Sequence, residues 1–252
     1  MTDLLVDLGN SRLKWAQSGD GRWLPDAVAH RGGDITALLN QFWSGLTVPE
    51  RVLLVSVAGE VPTRELEIWL QTHWQLIPRR VRAQREQLGV RNSYREPPTL
   101  GADRWAALLG ARGLTQGACA VVSCGTAVTV DALSADGEFA GGVILPGLHL
   151  WRQSLGRGTA GIGEAEGSDA SCLARATADA VAAGALYGLA GAIGRILEEQ
   201  QRALNADFEI FITGGDAALL APRLARAVIE VPDLVLKGLA RMAEEEAERH
   251  LL

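Results

Sequence analysis

The chain is short of cysteine, histidine and unbroken apolar sequence, and each shortage removes a class of protein. Its 252 residues hold three cysteines, Cys119, Cys124 and Cys172. Their number is odd and no two have CxxC spacing, so neither a disulfide framework nor a thiolate zinc site is expected. They read as reduced, mostly buried thiols of a cytosolic protein, and a cytoplasmic location follows. The four histidines, His30, His73, His149 and His250, are scattered and give a structural zinc site little support. The opening residues MTDLLVDLG lack a basic leader and a long apolar run, so no secretory signal is expected. The most membrane-like stretch, AVAAGALYGLAGAIG at 180–194, is too short and too rich in Gly and Ala to span a bilayer. No GxxxxGK[ST] run occurs, which removes the P-loop. The GRGTAG run at 156–161 matches GxGxxG but follows no strand, so a dinucleotide site is not expected there. The net charge of −6 is mild and the acids are spread out, so no nucleic-acid partner is expected. Basic residues cluster only in RRVRAQR at 79–85, which lacks interleaved aromatics and reads as a solvated face.

What remains is ordinary globular composition, 48% apolar and 21% charged, with length for one large domain or two intimate halves. Apolar strands are expected at 3–8, 12–17, 51–59, 118–123, 127–133, 141–147 and 208–215. Helical patterns run over 35–43, 63–74, from about Leu100, over 174–201, through AALLAPRLARA and after VPDLVLKG. Residues 154–171 read as a mobile glycine-rich loop. The alternation predicts an α/β fold with helices on the sheet faces.

Two stretches share a shape. LLVDLGNSRLKW (4–15) and AVVSCGTAVTVDA (120–132) each run an apolar strand into a polar residue, a glycine turn and a return strand. Gly9 and Gly125 lie 116 residues apart, nearly half the chain, which suggests two related halves. A tight turn exposes successive backbone N–H groups that can cradle phosphate oxygens. Asn10, Ser11 and Thr126 add side-chain donors, Lys14 adds a positive charge if it points inward, and Asp7 offers the carboxylate that a magnesium ion accompanying a nucleotide wants. Asp7 read alone is equally a capped strand end.

Asp103, near the start of an amphipathic helix, is either a favourable partner of the helix dipole or a base for a hydroxyl, with Arg104 as a clamp for an acidic group. Thr177 opens a helix carrying Ala180, Gly184, Gly188 and Gly191 on one face. Its hydroxyl reads first as a helix cap, and the small residues as a close-packing face in the core or across a dimer. ITGGDA (212–217) ends a strand with two glycines, leaving room for a flat ring beside the backbone.

Taken in order, DLGNSRLKW, Tyr94 with LGADRW, CGTAVTVD, GGVILPG, the span from Thr177 to Gly184, ITGGDA and PDLVLKGL resemble the motifs of type III pantothenate kinases over residues 3 to about 240. The resemblance implies the superfamily of acetate and sugar kinases, heat-shock ATPases and actin. Its fold is α/β, with two duplicated ribonuclease-H-like, actin-like halves, here 1–115 and 116–252, and a nucleotide cleft between them. It further implies ATP-dependent phosphorylation of pantothenate to 4′-phosphopantothenate, the first step towards coenzyme A, by a homodimer. ATP would be held by the turn Asp7, Leu8, Gly9, Asn10, Ser11, Arg12, Leu13 and Lys14, and by Thr126, Gly214 and Gly215, with Mg2+ on Asp7. Asp103 resembles the proton acceptor. Tyr94, Gly101, Ala102, Asp103 and Arg104 would line the pantothenate pocket, and Thr177 resembles a substrate-contacting threonine near the subunit interface.

The chain departs from that pattern at Ser123. The family usually has an aspartate there, a ligand of an activating K+ or NH4+ ion, and a neutral hydroxyl is a weaker cation ligand. Asp131 keeps some negative charge nearby. TAGIG at 159–163 also departs from the family pattern, and contacts there are not carried over. Two other readings share the scaffold: a non-catalytic accessory factor for transcriptional activation, against which Asp7, Asp103, Arg104 and Thr126 argue, and a sugar kinase, against which LGADRW argues.

Overall fold

The computed structural model describes residues 2–19, 22–30, 32–159, 162 and 171–250. It divides into two compact units, Met1–Thr115 with Asp233–Leu252, and Gln116–Pro232.

In the first unit β1 (Asp3–Leu8), β2 (Arg12–Gly19) and β3 (Arg22–Ala29) form an antiparallel meander. After α1 (Ile35–Trp43), β4 (Arg51–Ser56) returns parallel to β1. After α2 (Glu60–Trp74), β5 (Arg79–Arg80) adds in parallel, for a sheet order β3-β2-β1-β4-β5. β3 was not expected. Its sequence RWLPDAVA contains Pro25 and no clean alternation, yet as an outer strand of this sheet it pairs with β2 along its whole length. A small hairpin of β6 (Glu86–Gln87) and β7 (Val90–Asn92) precedes α3 (Ala102–Leu114).

Strand alternation sorts β1 into two faces. Leu4, Val6 and Leu8 meet α1 and α2 in a core with Ile35, Leu39, Leu66 and Leu70. This core holds four of the chain's seven tryptophans: Trp15, Trp43, Trp69 and Trp74, with ring centroids 4.9–5.9 Å apart. The opposite face carries Asp3, Leu5 and Asp7. The basic run 79–85 is only partly the solvated face expected of it. Arg80 is bound by Glu60 and Glu67, Arg79 pairs with Glu246, and Val81 and Ala83 are buried.

The second unit repeats the plan. β8 (Cys119–Cys124), β9 (Ala127–Leu133) and β10 (Glu138–Pro146) form an antiparallel meander, followed by α4 (Leu148–Gly158) and α5 (Thr177–Leu204). β11 (Glu209–Thr213) lies parallel to β8. After the short α6 (Ala217–Leu220), β12 (Ile229–Glu230) lies parallel to β11, giving β10-β9-β8-β11-β12. Order and strand directions match β3-β2-β1-β4-β5, so the sheets are duplicates and the fold is of the actin-like type. α5 is long and apolar enough to cross a membrane, but half of its most apolar window is buried in this unit, through residues such as Leu186, Leu189, Ile193 and Leu197.

Three expectations change here. Residues 154–158 of the anticipated loop are helical, the close of α4. The rest of 154–171 lies outside the described residues except Thr159, Ile162 and Ser171, and so does the end of GRGTAG. AALLAPRLARA is not a full helix, because Pro222 turns it into one 3-10 turn at Ala221–Arg223. Finally, α7 (Leu234–His250), placed by sequence with the second half, lies in the first unit. It crosses α3 where neither helix has a side chain. A Cβ on Gly238 would stand 1.8 Å from the Ala106 carbonyl oxygen, and one on Gly110 would stand 2.4 Å from that of Leu234. Asp233 accepts from Trp23 Nε1 at 2.8 Å and fixes the start of α7 to β3.

Candidate active site

Asp7 is the next-to-last residue of β1, on the face covered by α3 and α7, and only 7% of its surface is exposed. Across the strand pair its partner is Lys14, whose Nζ is 4.0 Å from Asp7 Oδ2. Burial pushes the Asp7 carboxyl up to about 6; Lys14 opposes the shift and the negative charge of Asp103 adds to it. The structure therefore brings three of the residues singled out in the sequence into one electrostatic group. Between them the chain turns through Gly9, Asn10 and Ser11, closed by a bond from the Gly9 N–H to the Arg12 carbonyl at 3.0 Å. Leu8 and Leu13 have side chains sealed in the core, so they offer a ligand main-chain groups only. Arg12 is exposed.

Asp103 sits in the first turn of α3, whose N-cap, Gly101, supplies no side chain. Its Oδ1 folds back to accept the Arg104 N–H at 2.9 Å, and a Cβ on Gly101 would lie 2.7 Å from that oxygen. Glycine is what makes room for the carboxylate. Gly101, Ala102 and Asp103 are half-buried. Arg104 is buried; its Nη1 donates to the Tyr94 hydroxyl at 2.9 Å, and its guanidinium carbon lies 5.7 Å from the Tyr94 ring centroid. Tyr94 is held in turn by Asn92, which sequence reasoning missed. The Asn92 side chain accepts from the Tyr94 N–H at 3.1 Å and donates to the Pro97 carbonyl at 3.2 Å. An Asn two residues before an aromatic in a proline-marked loop is the available signal, an Asx turn.

In the second unit three separate stretches converge on one turn. The β8–β9 connection is closed by the Gly125 N–H bonding the Ala127 carbonyl at 3.0 Å, with Thr126 half-buried at its tip. Gly147, from GGVILPG, donates to the Thr126 carbonyl at 3.0 Å, and a Cβ there would stand 2.2 Å from the Gly125 carbonyl oxygen. Gly214, from ITGGDA, has φ +103° and lies against Cys124 so closely that a Cβ would be 2.2 Å from its carbonyl oxygen. The Asp216 N–H donates to that same oxygen at 3.1 Å, and Gly215 is exposed beside it. Burial, then the charge of Asp216, pushes the Cys124 thiol up to about 12, so it is inert.

Ser123 is opposite Thr129 on one side and Thr213 on the other. Asp131 is 1% exposed and accepts from the Thr129 hydroxyl at 3.0 Å, so its carboxyl is sealed from solvent. Among the described residues no group of three or more His, Cys, Asp or Glu could hold a metal ion by itself. Thr177 does not cap α5, contrary to the first reading of its hydroxyl. The N-cap is Ala176, which makes no side-chain bond, and Thr177 stands exposed in the first turn. Of the small residues behind it, a Cβ on Gly188 would meet Trp151 at 3.1 Å, whereas one on Gly184 or Gly191 would have nothing of the described residues outside its own helix within 4 Å.

Two sheets of matching order, each with a glycine turn at the end of its first strand, define an α/β protein of the actin-like fold. Solved structures with this fold include an activator of 2-hydroxyisocaproyl-CoA dehydratase from Clostridium difficile with bound ADPNP, at TM-score 0.58 and 11% identity, covering 100% of this chain and 97% of that one. A Campylobacter jejuni protein described as a Baf family transcriptional activator aligns at TM-score 0.59 and 22% identity, over 97% and 99%. The sequence pattern of type III pantothenate kinase matches residues 3–199. The type III pantothenate kinase of Nitrosococcus oceani is 40% identical, with 97% of this chain and 95% of that protein covered, and that of Halorhodospira halophila is 37% identical, over 98% and 99%. The chain belongs to the type III pantothenate kinase family.

Proposed function

We propose that the protein transfers the γ-phosphoryl group of ATP to the primary hydroxyl of pantothenate, giving 4′-phosphopantothenate and ADP. The observation that carries this reading within the first unit is the group formed by Asp7, Lys14 and Asp103. Phosphoryl transfer needs positioning and charge neutralisation more than covalent participation. A buried carboxylate, a lysine beside it and a second carboxylate on a helix N-terminus supply those elements.

Asp103 takes the hydroxyl proton as the hydroxyl oxygen attacks phosphorus and the bond to the ADP oxygen breaks. Gly101 and Ala102 leave space for the vitamin chain beside it. Arg104, already oriented by Tyr94, presents its guanidinium to the pantothenate carboxylate. In the first unit Lys14 and the main chain of residues 8–13 bind ATP phosphates; in the second, Thr126 is an ATP-binding residue and Gly214 and Gly215 leave backbone open to a nucleoside. Thr177, freed from capping, contacts substrate, and the open small-residue face of α5 is the surface on which two copies form a homodimer. The protein works in the cytoplasm, without membrane or nucleic acid.

The donors suit Mg2+, which keeps several waters and takes one or two carboxylates together with substrate phosphates, so no all-protein cage is required. Asp7, whose buried charge a cation would relieve, would hold it. Bound there, it would neutralise charge developing on the phosphates. A carboxylate-anchored K+ or NH4+ site does not fit Ser123, and no step is assigned to such an ion.

A coupled ADP-release assay with ATP, Mg2+ and pantothenate tests the reading. Turnover should require pantothenate, and Asp103→Asn should lower kcat by about 10²–10⁴-fold. Folded protein with no pantothenate-dependent ADP release would overturn it.

A further inference from the structure

His30 belongs to none of the motifs above, yet it holds the first glycine turn at two points. It lies just beyond β3, and 8% of it is exposed. Its backbone N–H donates to the Ser11 carbonyl at 3.0 Å, and its Nε2 lies 2.7 Å from the Gly9 carbonyl oxygen. The Gly32 N–H donates to Nδ1 at 3.2 Å. That bond requires a lone pair on Nδ1, so the proton is on Nε2 and the imidazole donates to Gly9. The bend that carries Gly32 is itself closed by the Gly33 N–H on the His30 carbonyl at 2.7 Å, so the ring is braced from behind.

The consequence lies in the next peptide plane. In a trans peptide the C=O of Gly9 and the N–H of Asn10 point in opposite directions. With the Gly9 carbonyl drawn onto His30, the Asn10 N–H is turned away from the imidazole, to the exposed side of the turn. Were the plane free to rotate, the carbonyl could swing out and present a partial negative charge to an anion. We infer that His30 is a positioning residue for the ATP phosphates: Nε2–H holds back the Gly9 carbonyl and keeps the Asn10 N–H aimed at a phosphate oxygen. The inference rests on the turn from Asp7 to Lys14 being the phosphate turn.

Three variants separate the possibilities. His30→Phe keeps the ring volume but has no donor. His30→Gln puts an amide N–H near the Nε2 position, and His30→Asn reaches only as far as Nδ1. Steady-state KM values for ATP and pantothenate are measured for each, beside a thermal melt. Losing one charge-facing hydrogen bond should raise the KM for ATP about ten-fold in His30→Phe, with the KM for pantothenate unchanged. His30→Gln should return the KM for ATP to within about three-fold of the parent. If His30→Phe does not melt cooperatively, the contrast between His30→Gln and His30→Asn decides by the same criterion. An unchanged KM for ATP, equal effects on both substrates, or equal impairment with and without the donor overturns the proposal. Lys14→Met is the control on its premise. A KM for ATP unmoved by Lys14→Met rejects the phosphate turn itself, whereas one moved by Lys14→Met but not by His30→Phe rejects only His30.

Discussion

The two glycine turns occupy the same place in duplicated sheets, and they are built by opposite means. In the first unit the positions facing each other across the first two strands are Asp7 and Lys14; in the second they are Ser123 and Thr129. One pair sets a half-buried lysine beside a buried carboxyl, the other is a pair of hydroxyls. Backbone contacts run the other way. A Cβ on Gly9 would come no nearer than 3.4 Å to the Arg12 carbonyl oxygen, but one on Gly147 or on Gly214 would stand 2.2 Å from a carbonyl oxygen of the second turn or the strand end before it. One hydrogen bond is common to both: Val57 N–H to the Leu8 carbonyl at 3.0 Å, and Asp216 N–H to the Cys124 carbonyl at 3.1 Å. The shared scaffold fixes the strand ends. The first unit then adds charge, at a cost in stability, and the second adds shape, at a cost in sequence freedom.

The sharpest way to break this comparison is to add one methyl group to each turn. Gly214→Ala forces a Cβ into the Cys124 carbonyl at a φ of +103° that alanine rarely adopts. It should cost more than about 4 kcal/mol and abolish cooperative unfolding of the second unit. Gly9→Ala meets only ordinary crowding and should cost within about 1 kcal/mol. Calorimetry with limited proteolysis would distinguish them. Equal melting temperatures would mean that the second turn yields as readily as the first.

Next in size is the charge on the first turn. The Asp7 carboxyl rises from 3.8 to about 6 in the folded protein, so folding binds a proton between those values. Its contribution to stability is fully present below pH 3.8 and is lost as pH rises through about 6. By pH 7.5 the buried carboxylate costs about 2–3 kcal/mol. Asp7→Asn should therefore abolish activity while raising the nucleotide-free melting temperature at pH 7.5 by several degrees, a gain that shrinks towards pH 4. Melts across that range check it. A variant less stable than the parent at every pH would show that the carboxylate is held by bonds rather than strained by burial.

Much of this contrast was readable in the sequence, because both turns and their polar residues lie in short contiguous runs. Asp7, Lys14 and Thr126 lie within those two runs and Asp103 within LGADRW, and the likeness of the halves shows in the spacing of Gly9 and Gly125. What escaped was set by residues far apart in the chain. Gly238 has meaning only against Ala106, and α7 joins the first unit through that crossing. Gly147 and Gly214 read as separate loops until both are seen to rest on the second turn. His30 bonds backbone of the turn from 21 residues away, which leaves no signature in residue type, and Asn92 left only the faint one of an Asx turn. The misread elements failed for local reasons: Pro25 hid an edge strand, Pro222 cut a helix short, and glycines disguised the end of α4.

The smallest effect would come from making the second turn resemble the first. Ser123→Asp places a carboxylate between Thr129 and Thr213. It lands on the sheet face that also carries Asp131, because residues two apart on a strand share a face and direct cross-strand partners lie side by side. Two carboxylates there repel each other, so in buffer free of potassium the variant should melt slightly below the parent, by about 0.5–1 kcal/mol. The same pair would attract a monovalent cation. KCl, compared with tetramethylammonium chloride at equal ionic strength, should restore the melting temperature of Ser123→Asp while leaving the parent unchanged. Recovery would show that one carboxylate is all that separates a turn built by shape from one that recruits charge. Potassium stabilisation of the parent itself would mean that the hydroxyls of Ser123, Thr129 and Thr213 already suffice to hold an ion, and that the two turns differ less than their side chains suggest.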